Sequence, residues 1–178
     1  MDCTLGVSAA QLRVAKGDPR LALRNRVLKQ PYHVVGLLGG DVVRNHGVER
    51  YTFHGNGGNA DCIGLAIEGS YPGREKSRAE KHTALERAVA VGRAALVEAE
   101  KMLREAGVTG PIRVNAHRNF SGQRAADPGE GIWREVVVWG CNTLGLVPDL
   151  DIHRGTGLPI PIEWDPAAKF SWTGAPRG

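Results

Sequence analysis

Val114-Asn-Ala-His-Arg-Asn-Phe-Ser-Gly-Gln-Arg-Ala-Ala-Asp-Pro-Gly129 sets an imidazole and a carboxylate, His117 and Asp127, ten residues apart in a loop that joins a strand to a helix. Ile112 to Ala116 read as a short buried strand ending at His117. Asp127-Pro128-Gly129 reads as a helix start, with Asp as N-cap and Pro at the first helical position. A loop of this length folds both side chains back onto one point, and an imidazole nitrogen with a carboxylate oxygen suits Zn²⁺. Catalytic zinc sites commonly use three protein ligands plus an open water position, so a third donor is required from elsewhere. Taken alone, the two residues are equally well read as a hydrogen-bonded strand-end histidine and a helix cap.

On the C-terminal side of this loop, Glu130 to Leu146 reads as a helix that buries Ile132, Trp133, Val136, Val137 and Cys141. On its N-terminal side lies the longest helix, Ser77 to Ala106. Leu85, Val89, Leu96, Ala99 and Leu103 follow its three-four spacing, Ala88, Ala95 and Met102 widen the stripe, and Gly107 caps it. His82 falls on this helix and is given no chemistry. Cys62 to Glu68 is apolar enough for a central strand, on which Ala66 and Glu68 share a face. Tyr32 to Leu38 and Asp41 to Asn45 flank Gly39-Gly40, a two-residue hairpin signal because both turn positions tolerate positive φ. Between these strands, His54-Gly-Asn-Gly-Gly-Asn59 lets backbone approach a ligand closely while His54, Asn56 and Asn59 offer donors and acceptors; a plain surface turn is the competing reading. Near the start of the chain, Asp18-Pro19 opens a short helix that Gln30-Pro31 stops.

The chain has 178 residues, 42% hydrophobic and 24% charged, which fits one globular domain plus a tail. No run of eighteen apolar residues and no basic segment followed by an apolar core occur, so neither membrane insertion nor a secretory signal is expected, and the chain as synthesised is expected in the cytoplasm. Cys3, Cys62 and Cys141 are odd in number and widely spaced, which predicts free thiols. A formal charge of +4 attracts polyanions, among them nucleic acid, anionic lipid and bacterial wall polymers. Its arginines are scattered and no aromatic-rich nucleic-acid motif occurs, which disfavours nucleic-acid binding. From Pro148 onward, five prolines in thirty-one residues, with Trp164, Phe170 and Trp172, suit an extended arm on the domain or a linker to a further module. His153 in this tail reads as structural.

His117-Arg118 followed by Asp127-Pro128-Gly129, together with Tyr32-His33-Val34-Val35, the His54 to Asn59 loop and Cys62-Ile-Gly-Leu-Ala-Ile-Glu-Gly69, resembles the zinc-dependent N-acetylmuramoyl-L-alanine amidases of the type 2 family. Peptidoglycan recognition proteins and many phage endolysin amidase domains share that fold. The resemblance covers residues 1 to 147 and leaves 148 to 178 as the arm or linker. It implies an α/β domain, a central mixed β-sheet flanked by helices, with a first strand that lacks most of its length. It also implies bacterial peptidoglycan as partner and hydrolysis of the amide between N-acetylmuramic acid and L-alanine, with Zn²⁺ held by His117 and Asp127 and the 54–59 loop along the substrate groove. Release to the cell wall through a phage holin follows by the same analogy.

Three departures from the family pattern mark the site. The family glutamate that contacts the zinc-bound water is Ala66 here, leaving Glu68 or Tyr32 as the candidate base. A family lysine two residues before the aspartate is Ala125, leaving Arg124 as the candidate cation. The first zinc ligand of the family is a histidine ending the first strand, followed one residue later by Ser or Thr. Counting back from His33 lands on Cys3, and the pattern before Thr4 points to Asp2, either of which has ligand chemistry. A catalytically impaired peptidoglycan-binding domain of the same fold therefore stands beside the amidase as the alternative.

Overall fold

A computed structural model describes residues 2–6, 30–54, 58–69, 71, 78–148, 157–161 and 164, with backbone only for 2–6 and 78–84. The expected Asp18 helix, Asn56 and His153 lie outside the described residues. Among the described residues six strands form one sheet in the order β3-β2-β4-β1-β5-β6. They are β1 (Asp2–Gly6), β2 (Val34–Gly36), β3 (Val42–Arg44), β4 (Cys62–Ile67), β5 (Arg113–Ala116) and β6 (Val147–Pro148). Only the β2–β3 pair is antiparallel; β2–β4, β4–β1, β1–β5 and β5–β6 run parallel, so the sheet is mixed.

Every residue of β4 is buried, as a strand covered on both faces must be, and its sequence is accordingly a near-continuous apolar run rather than an alternation. β1 spans five residues and pairs on both sides, filling the central place that the sequence left expected to be poorly occupied.

The β2–β3 hairpin forms, with Val35 opposite Val43, but its turn is one residue longer than the Gly39-Gly40 signal predicts. Leu37 N–H donates to Asp41 O, Gly40 N–H donates to Leu37 O, and Gly40 alone of the two glycines takes a positive φ, at 101°. This three-residue connection ends on a left-handed glycine, the arrangement that matches strand twist when a two-residue turn does not form.

The long helix, α1 (Arg78–Glu105), crosses from β4 to β5. It presses Ala88, Val91, Ala95, Leu96, Ala99, Met102 and Leu103 against Val34, Ile63, Leu65 and Ile67. A Cβ on Gly92 would stand 2.6 Å from Ile67 Cδ1, so the small residues of this stripe set how closely helix and sheet approach. Gly107 (φ 89°) ends the helix, its N–H donating to Arg104 O and that of Val108 to Leu103 O, the paired bonds of a Schellman cap.

A second helical run, residues 130–144 (α2), packs on the same side and buries Ile132, Trp133, Val136 and Val137. Its middle, Trp133–Val138, is π-helical. Its N-cap is Gly129, not Asp127 as the sequence predicts, and the Asp127-Pro128 peptide is cis. Asp127 thus sits three residues before the helix, in the loop, with its carboxylate released from capping. Among the described residues Cys62 and Cys141 are free thiols.

Ile160 and Trp164 join the same core. Leu158 N–H donates to Arg118 O, Asn119 Nδ2 donates to Leu158 O, and the Arg118 guanidinium lies 4.8 Å from the Trp164 ring centre. These residues beyond 148 are therefore fastened to the 117–119 loop, which β5 delivers at the end of the sheet.

Candidate functional site

Residues two apart on a strand share a face, so the strand register fixes which side chains meet above the sheet. Val34, Ile63, Leu65, Ile67, Val114 and Ala116 face the helices. Their alternates face the other way. Gly6 pairs with Ala66, Ala66 with Val35, and Leu5 with Ala116, which sets Gly6 level with His117. Across the strand ends the row is thus Val35, Ala66, Gly6, His117. One step back, Thr4 lies between Gly64 and Asn115.

His117 and Asp127 come together, Nδ1 to Oδ2 at 3.0 Å, both side chains nearly buried. Two neighbouring ligands of a tetrahedral zinc, each about 2.0–2.2 Å from the metal, stand at roughly this separation. A buried carboxylate and imidazole are also satisfied by each other, which is the bland reading the sequence allowed.

His54 is 2% exposed and hydrogen-bonds Thr52 Oγ1 through Nδ1 at 2.7 Å, while its Nε2 is buried with no hydrogen-bond partner among the described residues. Burial first, and then the nearby His33 and His117 imidazoles, lower its pKa to about 4, so it is neutral at physiological pH. Gly64 is glycine for this ring: a Cβ there would lie 2.5 Å from His54 Cγ.

His33 is structural. Its Nδ1 accepts the Gly64 N–H at 2.9 Å, so its Nε2 carries the proton and donates to Arg50 O at 2.9 Å. Burial is the main reason its pKa is lowered.

Tyr32 is buried on the His54 side, ring centres 6.4 Å apart, packed with Val35, Leu37 and Ala66. Glu68 turns to the β2 end, where Oε2 accepts the Leu38 N–H at 2.8 Å, so it serves the hairpin. Arg124 is exposed in a 3-10 turn. Asn59 lines a hollow on the 48–51 loop, and His54 is interior to the loop rather than on its surface.

Cys3 is not brought to His117. It pairs with Val114, three positions earlier on β5, or about 10 Å back along the sheet at the usual strand rise. Asp2, opposite Cys62, is further still. The β1 residue in line with His117 is Gly6, which has no side chain. The family pattern of a histidine with Ser or Thr two positions on also fits Gly6-Val7-Ser8, with glycine where the histidine stands.

The sequence reading also passed over Arg118 and Asn119, both buried. Arg118 Nη1 donates to Ala125 O, spanning the loop between the two acidic and basic partners, and Asn119 Oδ1 accepts the Ala116 N–H. A charged residue directly after a buried strand was the available signal.

His117 and Asp127 converge, yet among the described residues no group of three His, Cys, Asp or Glu side chains could hold a metal ion, and the position in line is Gly6. The described residues fall one ligand short of a catalytic zinc centre.

The mixed sheet with its helices has a peptidoglycan recognition protein-like fold. The solved ectodomain complex of peptidoglycan recognition proteins LCa and LCx, bound to tracheal cytotoxin, is similar to this chain with a TM-score of 0.50 and 17% identity, over 78% of this chain and 80% of that one. No family model matches the sequence, and no curated protein sequence matches it.

Proposed function

We propose that this chain is a peptidoglycan-recognition domain that binds muropeptides at the C-terminal end of its sheet, where the described residues fall one ligand short of a zinc hydrolytic centre. The observation that carries this reading is the row Ala66–Gly6–His117. Two of its three positions bear no group able to ligate a metal or accept a proton, and Glu68, two residues beyond Ala66 on β4, is engaged by the Leu38 N–H. Binding needs less: a groove beside the His117–Asp127 pair. The net charge of +4 favours approach to an anionic wall.

A zinc-dependent N-acetylmuramoyl-L-alanine amidase is the second reading, favoured by the 3.0 Å approach of His117 Nδ1 to Asp127 Oδ2. It requires a third ligand from outside the described residues.

One experiment separates them. Protein purified with zinc and then exhaustively dialysed is analysed for metal and incubated with purified bacterial sacculi, followed by co-sedimentation and by turbidity. The recognition reading expects co-sedimentation unchanged by chelator, less than a tenth of a zinc per chain, and constant turbidity. About one zinc per chain with clearing, both lost in His117→Ala, would establish the amidase. A chain that neither co-sediments nor clears the sacculi would overturn both.

A further inference from the structure

We propose that the hollow at the N-terminal end of β4 is a saccharide subsite that takes one neutral pyranose ring of a glycan strand; this deepens the peptidoglycan-recognition reading and rests on it. The hollow holds about 170 Å³ between residues 48–51 and 59–63, with Glu49, Arg50, Tyr51, Asn59 and Asp61 around it and Ile63 in its lining. Beside it stand the most exposed aromatic side chains of the described residues, Tyr51 at 57% and Phe53 at 78%. Their ring centres are 5.2 Å apart at 81°, an edge-to-face corner.

Large rings left in water forgo the free energy of burial, and a paired, exposed patch beside a polar hollow marks a binding surface. A pyranose matches this surface in both its chemistries. One face of the sugar is a sheet of C–H bonds that stacks on an aromatic ring. Its rim of hydroxyls and an N-acetyl group pairs with amide, carboxylate and guanidinium groups, which Asn59, Glu49, Asp61 and Arg50 supply.

Charge selects among ligands. One guanidinium against two carboxylates leaves the hollow without excess positive charge, so it favours an uncharged ring over a phosphate. Size selects too. The volume lies below the roughly 300–1,000 Å³ of sites that enclose a drug-sized molecule, so the hollow receives one ring at its edge, with the rest of the strand in solvent.

The wall is also held in place before any ligand arrives. The Arg50 carbonyl accepts the His33 Nε2–H, Arg50 N–H donates to Gly47 O, and Thr52 is buried between Tyr51 and Phe53. A loop tied at these points loses little freedom on binding.

The test is calorimetric titration with two probes: a β-1,4-linked tetramer of N-acetylglucosamine, which has no peptide, and a synthetic stem pentapeptide, which has no sugar. The expected result is that the wild-type chain binds both. Tyr51→Ala and Phe53→Ala should each weaken the tetramer roughly fivefold or more while leaving the pentapeptide unchanged, and Tyr51→Trp should retain tetramer binding, which shows that the loop still folds. Pentapeptide binding without tetramer binding would overturn the subsite and leave the recognition reading standing. Binding of neither probe would remove both. Tetramer binding indifferent to Tyr51→Ala and Phe53→Ala also overturns the subsite, as would self-association in sedimentation that Phe53→Ala abolishes while the tetramer does not bind.

Discussion

Gly64→Ala should be the most damaging single-methyl change in the sheet. The added Cβ would stand 2.5 Å from His54 Cγ, and 2.7 Å from both its Cβ and Cδ2. Ordinary contact needs close to 1 Å more. Relief cannot come from a swing of the side-chain tip, because the atoms met are at the root of the ring. Nor is there free space, since His54 is 2% exposed, bonded to Thr52 and edge-on to His33 at 5.5 Å. Overpacking of a closed core costs about 1–3 kcal/mol, and a rigid ring root belongs near the top of that range. For a chain of this size each kcal/mol lowers Tm by roughly 2–4 °C, so a fall of about 6–12 °C is expected in thermal unfolding followed by circular dichroism. Gly39→Ala, where an added Cβ meets nothing within 4 Å, is the matched control and should change Tm by no more than about 2 °C. In the double variant Gly64→Ala/His54→Ala the clash is gone, and the combined loss should be smaller than the sum of the single losses by about 1 kcal/mol or more. A Gly64→Ala protein that melts with the wild type would refute the placement of His54 over β4.

Further outcomes follow from the same contacts. His54 and His33 have lowered pKa values in the folded chain, so the unfolded chain binds protons that the fold refuses. Stability from His54 is complete above pH 6.5 and declines as pH falls toward 4, by about 2 kcal/mol between pH 6.5 and 5; urea midpoints across that interval measure it, and a flat profile would exclude a buried neutral His54. Glu68→Ala removes the acceptor for the Leu38 N–H and should cost about 1–2 kcal/mol in urea unfolding, with Glu68→Gln costing less. If Glu68 were instead a catalytic base, both variants would abolish any hydrolysis while leaving the midpoint in place. Trp164→Ala, emptying a site 8% exposed and removing the ring under Arg118, should cost about 3–5 kcal/mol and raise amide exchange across 117–127; protection unchanged in that loop would show that the C-terminal segment does not brace it.

Much of this architecture was legible because its signals are local. β4 reads as a central strand from six apolar residues in a row, and α1 was bounded within a residue at either end by its apolar stripe and by Gly107. His117 and Asp127 were paired by type and spacing, and they do meet. What the sequence concealed depends on register between distant strands. Counting along the chain pointed to Cys3, whereas the alignment of β1 with β5 sets Gly6 beside His117, and no local pattern reports which β1 residue stands opposite a strand 111 positions away. Asp127 was misread as a helix cap because Asp before Pro is a common cap. Only the course of the chain through Gly129, at φ 89°, shows the helix beginning later. Glu68 shares a face with Ala66 in principle, yet the end of β2 captures it once the hairpin supplies an unpaired N–H. Arg118 gave a faint signal, a charge next to a buried strand, and its partner Trp164 lies 46 residues further on.

The central position of β1 has a consequence for how the chain is made. Asp2 pairs with Cys62 and Cys3 with Val114, so β1 is bonded on one side to a strand made 60 residues later and on the other to one made 111 residues later. At roughly 5–20 residues per second of synthesis, about 6–22 s pass before β5 has been assembled. Throughout that interval β1 has a bare edge, and the parallel pairings that will cover it are slow to form because a long loop must close first. A synonymous change that slows translation between β4 and β5 should therefore lower soluble yield without altering the finished protein.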